Sequence, residues 1–441
     1  MKTRTTILSF LSMAMGIAEM SGQGVLAPTL ISATNAFPEG GTPEKFCTRG
    51  DSYINFTASV LGPNGRQVWR TDGTTASTRD ISIAPNGVCG LASTPSMLYY
   101  SEFGSNGPAI RYASDGSLSS PQIIPPVIGT WCKLSAGSTL GNNYVFLGSS
   151  RWLYRTNGTS ALVLLKTFDN IGETLCTWNG KVFFTAAASG TDMELWVTDG
   201  TAAGTVLVKD IFPGTGGSDP QNLQVVGNRL YFTAVSRSGG KRELWSSSGL
   251  GFNTMKVKEI GKMTGKFVAL DPASLAFPQK FYFIVSSTAS DAVWESDGTP
   301  EGTKKLSLPL ASVSKMELFP IVGGSVQFIG RDIAGNSHIY RITFYTNSAM
   351  APTTSIECSL PPGTSGTVVG LCNGKLFYTS GSNESKKLWA LVTGGPREVR
   401  PSNAQASWKL ANSSGNFSIQ GNWLYFSADA SGGGYELYKV Q

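Results

Sequence analysis

Short runs of alternating apolar and polar residues recur along the chain, each bounded by turn formers, and no run keeps the 3.6-residue period of an amphipathic helix. Residues 193–234, MELWVTDGTAAGTVLVKDIFPGTGGSDPQNLQVVGNRLYFTA, show the pattern most fully. ELWVT, TVLVKDI, QNLQVV and RLYFTA alternate and are rich in β-branched and aromatic residues, so each predicts a strand. Asp-Gly-Thr follows the first of them. It predicts a tight turn, because glycine accepts positive φ and aspartate bonds its own backbone two residues on. Gly-Asn turns QNLQVV into RLYFTA. The stretch therefore reads as four antiparallel strands.

The same unit returns, in worn copies, at a spacing of roughly 38 to 51 residues. INFTAS leads to RQVWRTDGT at 66–74, LYYSEF to AIRYASDGS at 109–117, and YVFLGS to WLYRTNGT at 152–159. VFFTAA leads to ELWVTDGT, LYFTAV to ELWSSSG at 243–249, and FYFIVS to AVWESDGTPEGT at 292–303. VQFIGR leads to HIYRIT at 338–343, LFYTSG to KLWALVTGG at 387–395, and LYFSAD to YELYKV at 435–440. A repeated four-stranded unit of this length predicts an all-β fold, a single β-propeller of four-stranded antiparallel blades. Nine blades are expected, with eight as the alternative should the worn copy at 326–343 merge into a neighbour. Helical solenoids are excluded, since every unit reads as strands. The Trp of ELW and the Phe of LYF are expected to pack blade against blade.

The ninth copy lacks its fourth strand. Residues 30–58 can be laid over 206–234, with Phe37-Pro38 on Phe212-Pro213 and Phe56-Thr57-Ala58 on Phe232-Thr233-Ala234. Residues near 30–36 are therefore expected to supply the outer strand of the last blade and to close the ring. Closure also removes the exposed strand edges of an open array.

ELWVTDGTAAGTVLVKDI followed by VVGNRLYFTA closely resembles the ELWxxDGT-type repeats of exported bacterial proteins. The resemblance is strongest over residues 181–260, clear at 292–303 and 68–81, and worn at 109, 338 and 387. It implies a bacterial extracellular or surface propeller without an assigned activity, and it brings no catalytic residues. The TDGT turns differ from the sialidase Asp-box, whose Ser-x-Asp-x-Gly-x-Thr-Trp spacing is absent.

Composition agrees. Charged residues make up 15% of 441 and glycine contributes 52, as suits short strands and many turns. Lys2 and Arg4 precede the apolar run ILSFLSMAMGIA, the pattern of a signal peptide over residues 1–23, with the propeller domain at 24–441. Glu19 interrupts the run short of the ~20 apolar residues of a membrane span, and no membrane span is expected after signal cleavage. Removing Lys2, Arg4 and Glu19 lowers the formal charge from +6 to +5. The mature protein is expected to be secreted or at the cell surface, with the periplasm as the other compartment. The densest basic run, 255–266, reads as a solvated turn between strands, and no nucleic-acid partner is expected. Six cysteines in an exported chain permit three disulfides among 15 pairings. Cys358 and Cys372 flank a short connection and are expected to pair. Cys47, Cys89, Cys132 and Cys176 fall near the inner strands of four blades, where neighbours could pair.

Catalytic chemistry is thinly represented. The one histidine, His338, begins a strand and has no G-x-S-x-G elbow for company. Asp72, Asp115, Asp199 and Asp297 belong to repeat turns and are assigned to structure. Glu194, Glu243 and Glu436 recur in register and read as strand-edge residues. Asp51, Glu102, Asp291 and Glu317 lie outside the repeat register and are the better candidates for a carboxylate pair. The Arg-Gly-Asp at 49–51 is a three-residue match of the kind chance supplies, and the sequons at Asn55, Asn157, Asn383, Asn412 and Asn416 matter only where a eukaryotic host glycosylates the chain. No cofactor, metal or catalytic residue is assigned. Two functions compete: a monomeric, non-catalytic binding or scaffold module for a glycan or a cell-surface or extracellular protein, at the axial funnel or a loop face; and a polysaccharide hydrolase or lyase using carboxylates in the funnel.

Overall fold

The computed structural model describes residues 25–26, 29–31, 43–48, 53–59, 65–81, 87–102, 109–113, 122–124, 134, 137–148, 151–158, 162–188, 192–214, 216–269, 280–288, 291–307, 314–321, 325–332, 334–344, 352–360, 367–381, 386–392, 395–402, 404, 408–411, 417–430 and 435–441. Their strands form nine separate sheets arranged as a β-propeller. Blades are numbered in chain order, and strands within each run a to d from the inner edge outward.

Blade 1 is Glu44–Thr48, Ile54–Ser59, Arg66–Thr71 and Arg79–Asp80; blade 2 is Val88–Ser93, Leu98–Glu102, Ala109–Ala113 and Gln122–Ile124. Blade 3 is Gly137–Leu140, Asn143–Leu147, Trp152–Thr156 and Val163–Thr167. In blade 4 the inner strand is split into Asn170–Ile171 and Cys176–Trp178, both paired with Lys181–Ala187, and Glu194–Thr198 and Val206–Lys209 follow. Blade 5 is Gln221–Val226, Arg229–Ala234, Glu243–Ser247 and Met255–Glu259; blade 6 is Lys262–Ala269, Phe281–Ser286, Asp291–Ser296 and Lys304–Lys305. Blade 7 is Ser314–Ile321, Ser325–Arg331, Ser337–Thr343 and Thr353–Ser359, so the worn copy at 326–343 builds a sheet of its own. Blade 8 is Thr367–Cys372, Lys375–Ser380, Lys387–Val392 and Gly395–Val399. Blade 9 has Lys409–Leu410 and Phe417–Gln420 on one side of Trp423–Asp429, then Glu436–Val440.

Residues of both parities along the central strands are buried, because each sheet is covered on both faces. In blade 4, Val182, Phe184 and Trp196 pack against Val145, Leu147 and Leu153 of blade 3. The alternate residues Phe183, Leu195 and Val197 pack against Leu230, Phe232 and Trp245 of blade 5. Nine apolar clusters result, one in each gap between neighbouring blades. The Trp and Phe of the repeat are core, as expected. Trp196 keeps its indole N–H satisfied inside that core by donating to the Ala186 carbonyl, 3.0 Å away.

The ring closes through the N-terminal segment. Thr29–Leu30 pairs antiparallel with Glu436–Val440, Thr29 opposite Lys439 and Leu30 opposite Tyr438, and the Ile31 N–H donates to the Leu437 carbonyl at 2.9 Å. Ile31 is fully buried between blades 9 and 1, with Leu437 and Tyr425 on one side and Phe56 and Trp69 on the other. The pairing begins one residue earlier than expected, and residues 32–36 lie outside those described. A second pairing has no counterpart in the repeat: Val25–Leu26 runs parallel beside Gly395–Val399, as a fifth strand on blade 8.

The expected Cys358–Cys372 bridge does not form. Cys372 is a free, buried thiol on the inner strand of blade 8, whereas Cys358 lies on the outer strand of blade 7, so the width of a blade separates them. Cys176 is also a free thiol, which rules out three bridges. Cys89, on the inner strand of blade 2, is disulfide-bonded. No helix is long and apolar enough to cross a membrane among the described residues.

Truncating Ile31 to alanine should lower the unfolding free energy by about 2–4 kcal/mol, the usual cost of a cavity at a buried isoleucine. Urea denaturation reads this directly, and an unchanged midpoint would show that residues 29–31 take no part in closing the ring.

Candidate binding cleft at a repeat turn

The repeat turn is a small hydrogen-bonded device. In blade 4, Asp199 Oδ1 accepts the Thr201 N–H at 2.9 Å and the Thr201 hydroxyl at 2.7 Å. Thr198 Oγ1 accepts the Gly200 N–H at 3.0 Å, and Thr201 Oγ1 accepts the Gly204 N–H at 2.9 Å. The Thr205 hydroxyl donates to the Thr201 carbonyl at 2.6 Å. Asp297, Thr299, Gly302 and Thr303 repeat the pattern in blade 6, and Asp72, Thr74, Ser77 and Thr78 a variant of it in blade 1. These bonds favour the ionised carboxylate, so Asp199 is held below its ordinary range by Thr201, and Asp72 by Ser77 and then Thr74. At Asp297 burial pulls upward, but the bonds from Thr299 and the nearby Lys280 outweigh it and the net direction is down. The three aspartates are structural, as the sequence indicates; Asp115 lies outside the described residues.

The turn glycine does a second job. Gly73, Gly200, Gly249 and Gly298 all hold φ near +90° and press against the preceding blade. A Cβ on Gly73 would stand 2.9 Å from the Tyr425 hydroxyl, one on Gly249 3.1 Å from the Phe183 ring, and one on Gly298 would overlap the Tyr231 hydroxyl. These three turns lock onto an aromatic residue on strand b of the neighbour, whereas Gly200 meets Leu140 and the Arg155 side chain of blade 3.

Between blades 5 and 6 this contact leaves a half-open cleft of about 340 Å³. The a–b turn of blade 5 contributes Asn228 and Arg229, and the c–d turn of blade 6 contributes Asp297 and Thr299. Buried Tyr231 and Ser246 form the floor, and the exposed thioether of Met255 forms one lip. Arg229 and the Tyr231 hydroxyl have no hydrogen-bond partner among the described residues. Burial raises the Tyr231 hydroxyl pKa, while Arg229 pulls it down and Asp297 pushes it up, so both charges act on this one ring. Sequence reading missed the cleft, because its walls come from residues nearly seventy positions apart, roughly one and a half repeats.

The recurring glutamates open their strands and are buried there: Glu194, Glu243 and Glu436 are 3%, 2% and 6% exposed. Glu194 tethers the connection to blade 5, accepting the N–H groups of Ile211, Phe212 and Ser218 at 3.0–3.2 Å and the Ser218 hydroxyl at 2.6 Å. Burial nevertheless raises its pKa. Glu243 takes the Trp245 indole N–H at 3.1 Å and Lys256 Nζ at 2.7 Å, and Glu436 takes the Tyr438 hydroxyl at 2.6 Å. Of the off-register acids, Glu102 is buried in blade 2 and Asp291 begins strand c of blade 6, so they are not brought together. Asp51 and the Glu317 side chain lie outside the described residues, as does the Arg-Gly-Asp segment.

His338 stands between Asp332 Oδ2, 3.0 Å from Nε2, and Ser359 Oγ, 3.1 Å from Nδ1. Asp332 also accepts the Asn336 N–H at 2.8 Å, so the group fastens the b–c turn of blade 7 to its outer strand. No cluster of three or more metal-ligating side chains occurs among the described residues.

No family model and no curated protein matches the chain. Among solved structures it is similar to a prolyl endopeptidase from a study of two such enzymes, at 12% identity and a TM-score of 0.37, over 82% of this chain and 54% of that one. It is similar to a puromycin hydrolase at 11% identity and 0.36, over 82% and 61%. It is similar to prolyl oligopeptidase B from Galerina marginata at 10% and 0.38, over 80% and 56%. The chain thus spans less than two thirds of each of these proteins.

Gly298→Ala should destabilise by about 1–3 kcal/mol, from the left-handed backbone and the overlap with Tyr231. Adding Tyr231→Phe should recover the overlap share only, and a double-mutant cycle without coupling would refute the lock. For the turn aspartates the folded pKa lies below the unfolded one. Their contribution is therefore complete above the unfolded value of about 3.9 and disappears as pH falls through the folded value. Urea midpoints of Asp199→Asn measured from neutral to acid pH should show a shallower acid loss than the parent, and superimposable profiles would refute this role.

Proposed function

We propose that the chain is an exported, non-catalytic binding module that holds a glycan or an extracellular protein on a loop face of the ring. The observation that carries this reading is the cleft between blades 5 and 6, where the unpartnered Arg229 stands over a tyrosine floor beside an exposed apolar lip. The resemblance to ELWxxDGT-type repeats of exported bacterial proteins supports the extracellular setting. On this reading residues 1–23 are a signal peptide and the mature protein acts as a monomer, secreted or at the cell surface.

The test is a glycan array and extracellular-protein pull-down with residues 24–441, run beside a polysaccharide degradation assay. The expected outcome is saturable binding with no change in polymer length. Release of oligosaccharide products that tracks protein concentration would overturn the reading in favour of a hydrolase or lyase.

A further inference from the structure

We infer that the cleft between blades 5 and 6 is a subsite for an acidic sugar, a uronate unit of a larger saccharide; this rests on the binding-module reading and gives it a ligand class. The first observation is an unmet pair of charges. Arg229 and Asp297 line one cleft and both act on the Tyr231 hydroxyl, yet they form no ion pair with each other. A guanidinium and a carboxylate that share a cleft without touching leave room for a group that accepts from one and donates to the other.

The second observation is how other copies treat the same positions. The cation that opens strand b is Lys280 in blade 6, bound to Glu295 at 3.3 Å, and Lys375 in blade 8, donating to the Gln441 carbonyl at 3.2 Å. In blade 4 it is Lys181, but the matching turn of blade 5 carries Ser248 where blade 6 carries Asp297. Arg229 alone of these cations combines freedom from a partner with a turn aspartate across the gap.

The third observation is the neutral lining. Asn228 and Ser246 offer amide and hydroxyl groups, the floor is a tyrosine, and Met255 is 54% exposed at the lip. A polyhydroxylated ring uses such a set fully. Its carboxylate takes the planar guanidinium, its hydroxyls donate to the Asp297 oxygen that Thr299 leaves free, and its C–H face covers the thioether. The volume of about 340 Å³ suits one or two sugar units, and the open side lets a chain continue outward. An amino-acid zwitterion would satisfy the two charges but leave the neutral donors idle.

Calorimetry with the mature protein uses a panel of oligouronates (galacturonate, glucuronate, mannuronate and guluronate), their methyl esters, neutral oligosaccharides, and free amino acids with dipeptides. At least one oligouronate should bind, and its methyl ester should bind roughly 10- to 100-fold more weakly, as for loss of a charge-assisted bond. Arg229→Gln should weaken the acid to the level of the ester while melting at the parent temperature, since no partner is lost. Asp297→Asn keeps the acceptor for Thr299 and should weaken binding several-fold. Silence across all uronates, equal affinity for acid and ester, or indifference to Arg229→Gln would each overturn the inference. A neutral glycan or a protein bound elsewhere would do so too while leaving the binding-module reading intact, whereas amino acids binding in place of uronates would assign the cleft to a zwitterion.

Discussion

Everything in this molecule depends on burying both faces of a sheet that has no partner of its own. A single blade exposes apolar side chains on two sides, and only two neighbours can cover them. The apolar interior is accordingly a set of nine thin layers in the gaps between blades, rather than one continuous core. Closing the ring is therefore a condition for stability, since an open array would leave two apolar faces wet. The scarcity of charge follows. Central strands have no solvated face to carry it, and Glu194, which does enter, comes with several donors.

The repeat turn aligns those layers. Hydrogen bonds from the Asp and Thr side chains fix the turn's shape, and the glycine sets its tip on the preceding blade, in most copies on an aromatic ring. This explains why the motif wears unevenly. In blade 5 the sequence SSGLGFNT keeps the glycine lock and the Ser247–Thr254 hydroxyl contact but loses the aspartate. Its tip then presents Leu250 and Phe252 to solvent, Phe252 at 77% exposure. What joins the blades is retained there, and what only shapes the tip has changed.

The architecture was readable because period-two alternation, turn chemistry and the repeat length all point to one fold. The closing strand was readable for the same reason: the N-terminal segment carries the outer-strand pattern that the last copy lacks. The parallel addition of Val25–Leu26 to blade 8 was not, since no other copy has such a strand. Glu194, Glu243 and Glu436 open their strands, as the register indicates, but their burial was not readable, because for Glu194 the space beyond the strand end is filled by the next connection. Cys358 and Cys372 are close in sequence, but one lies on an outer strand and the other on an inner strand. The cleft could not be read at all. It is a property of two turns meeting across a gap, and neither turn's sequence signals it.

The two short N-terminal strands have a kinetic consequence. Residues 25–31 pair with segments near 395–399 and 436–440, so the contact that seals the ring joins the two most distant parts of the described chain. Blades 1 to 8 can form in order as the polypeptide emerges, but the seal waits for the final strand. Until then Thr29–Leu30 has no strand to pair with and blade 1 keeps a bare face. A closing loop of some 400 residues costs only a few kcal/mol of chain entropy, because that cost grows logarithmically with length. It does, however, place the slowest search at the end of folding. A ring built this way gains its last interface, and with it its rigidity, only when the two ends of the described chain meet.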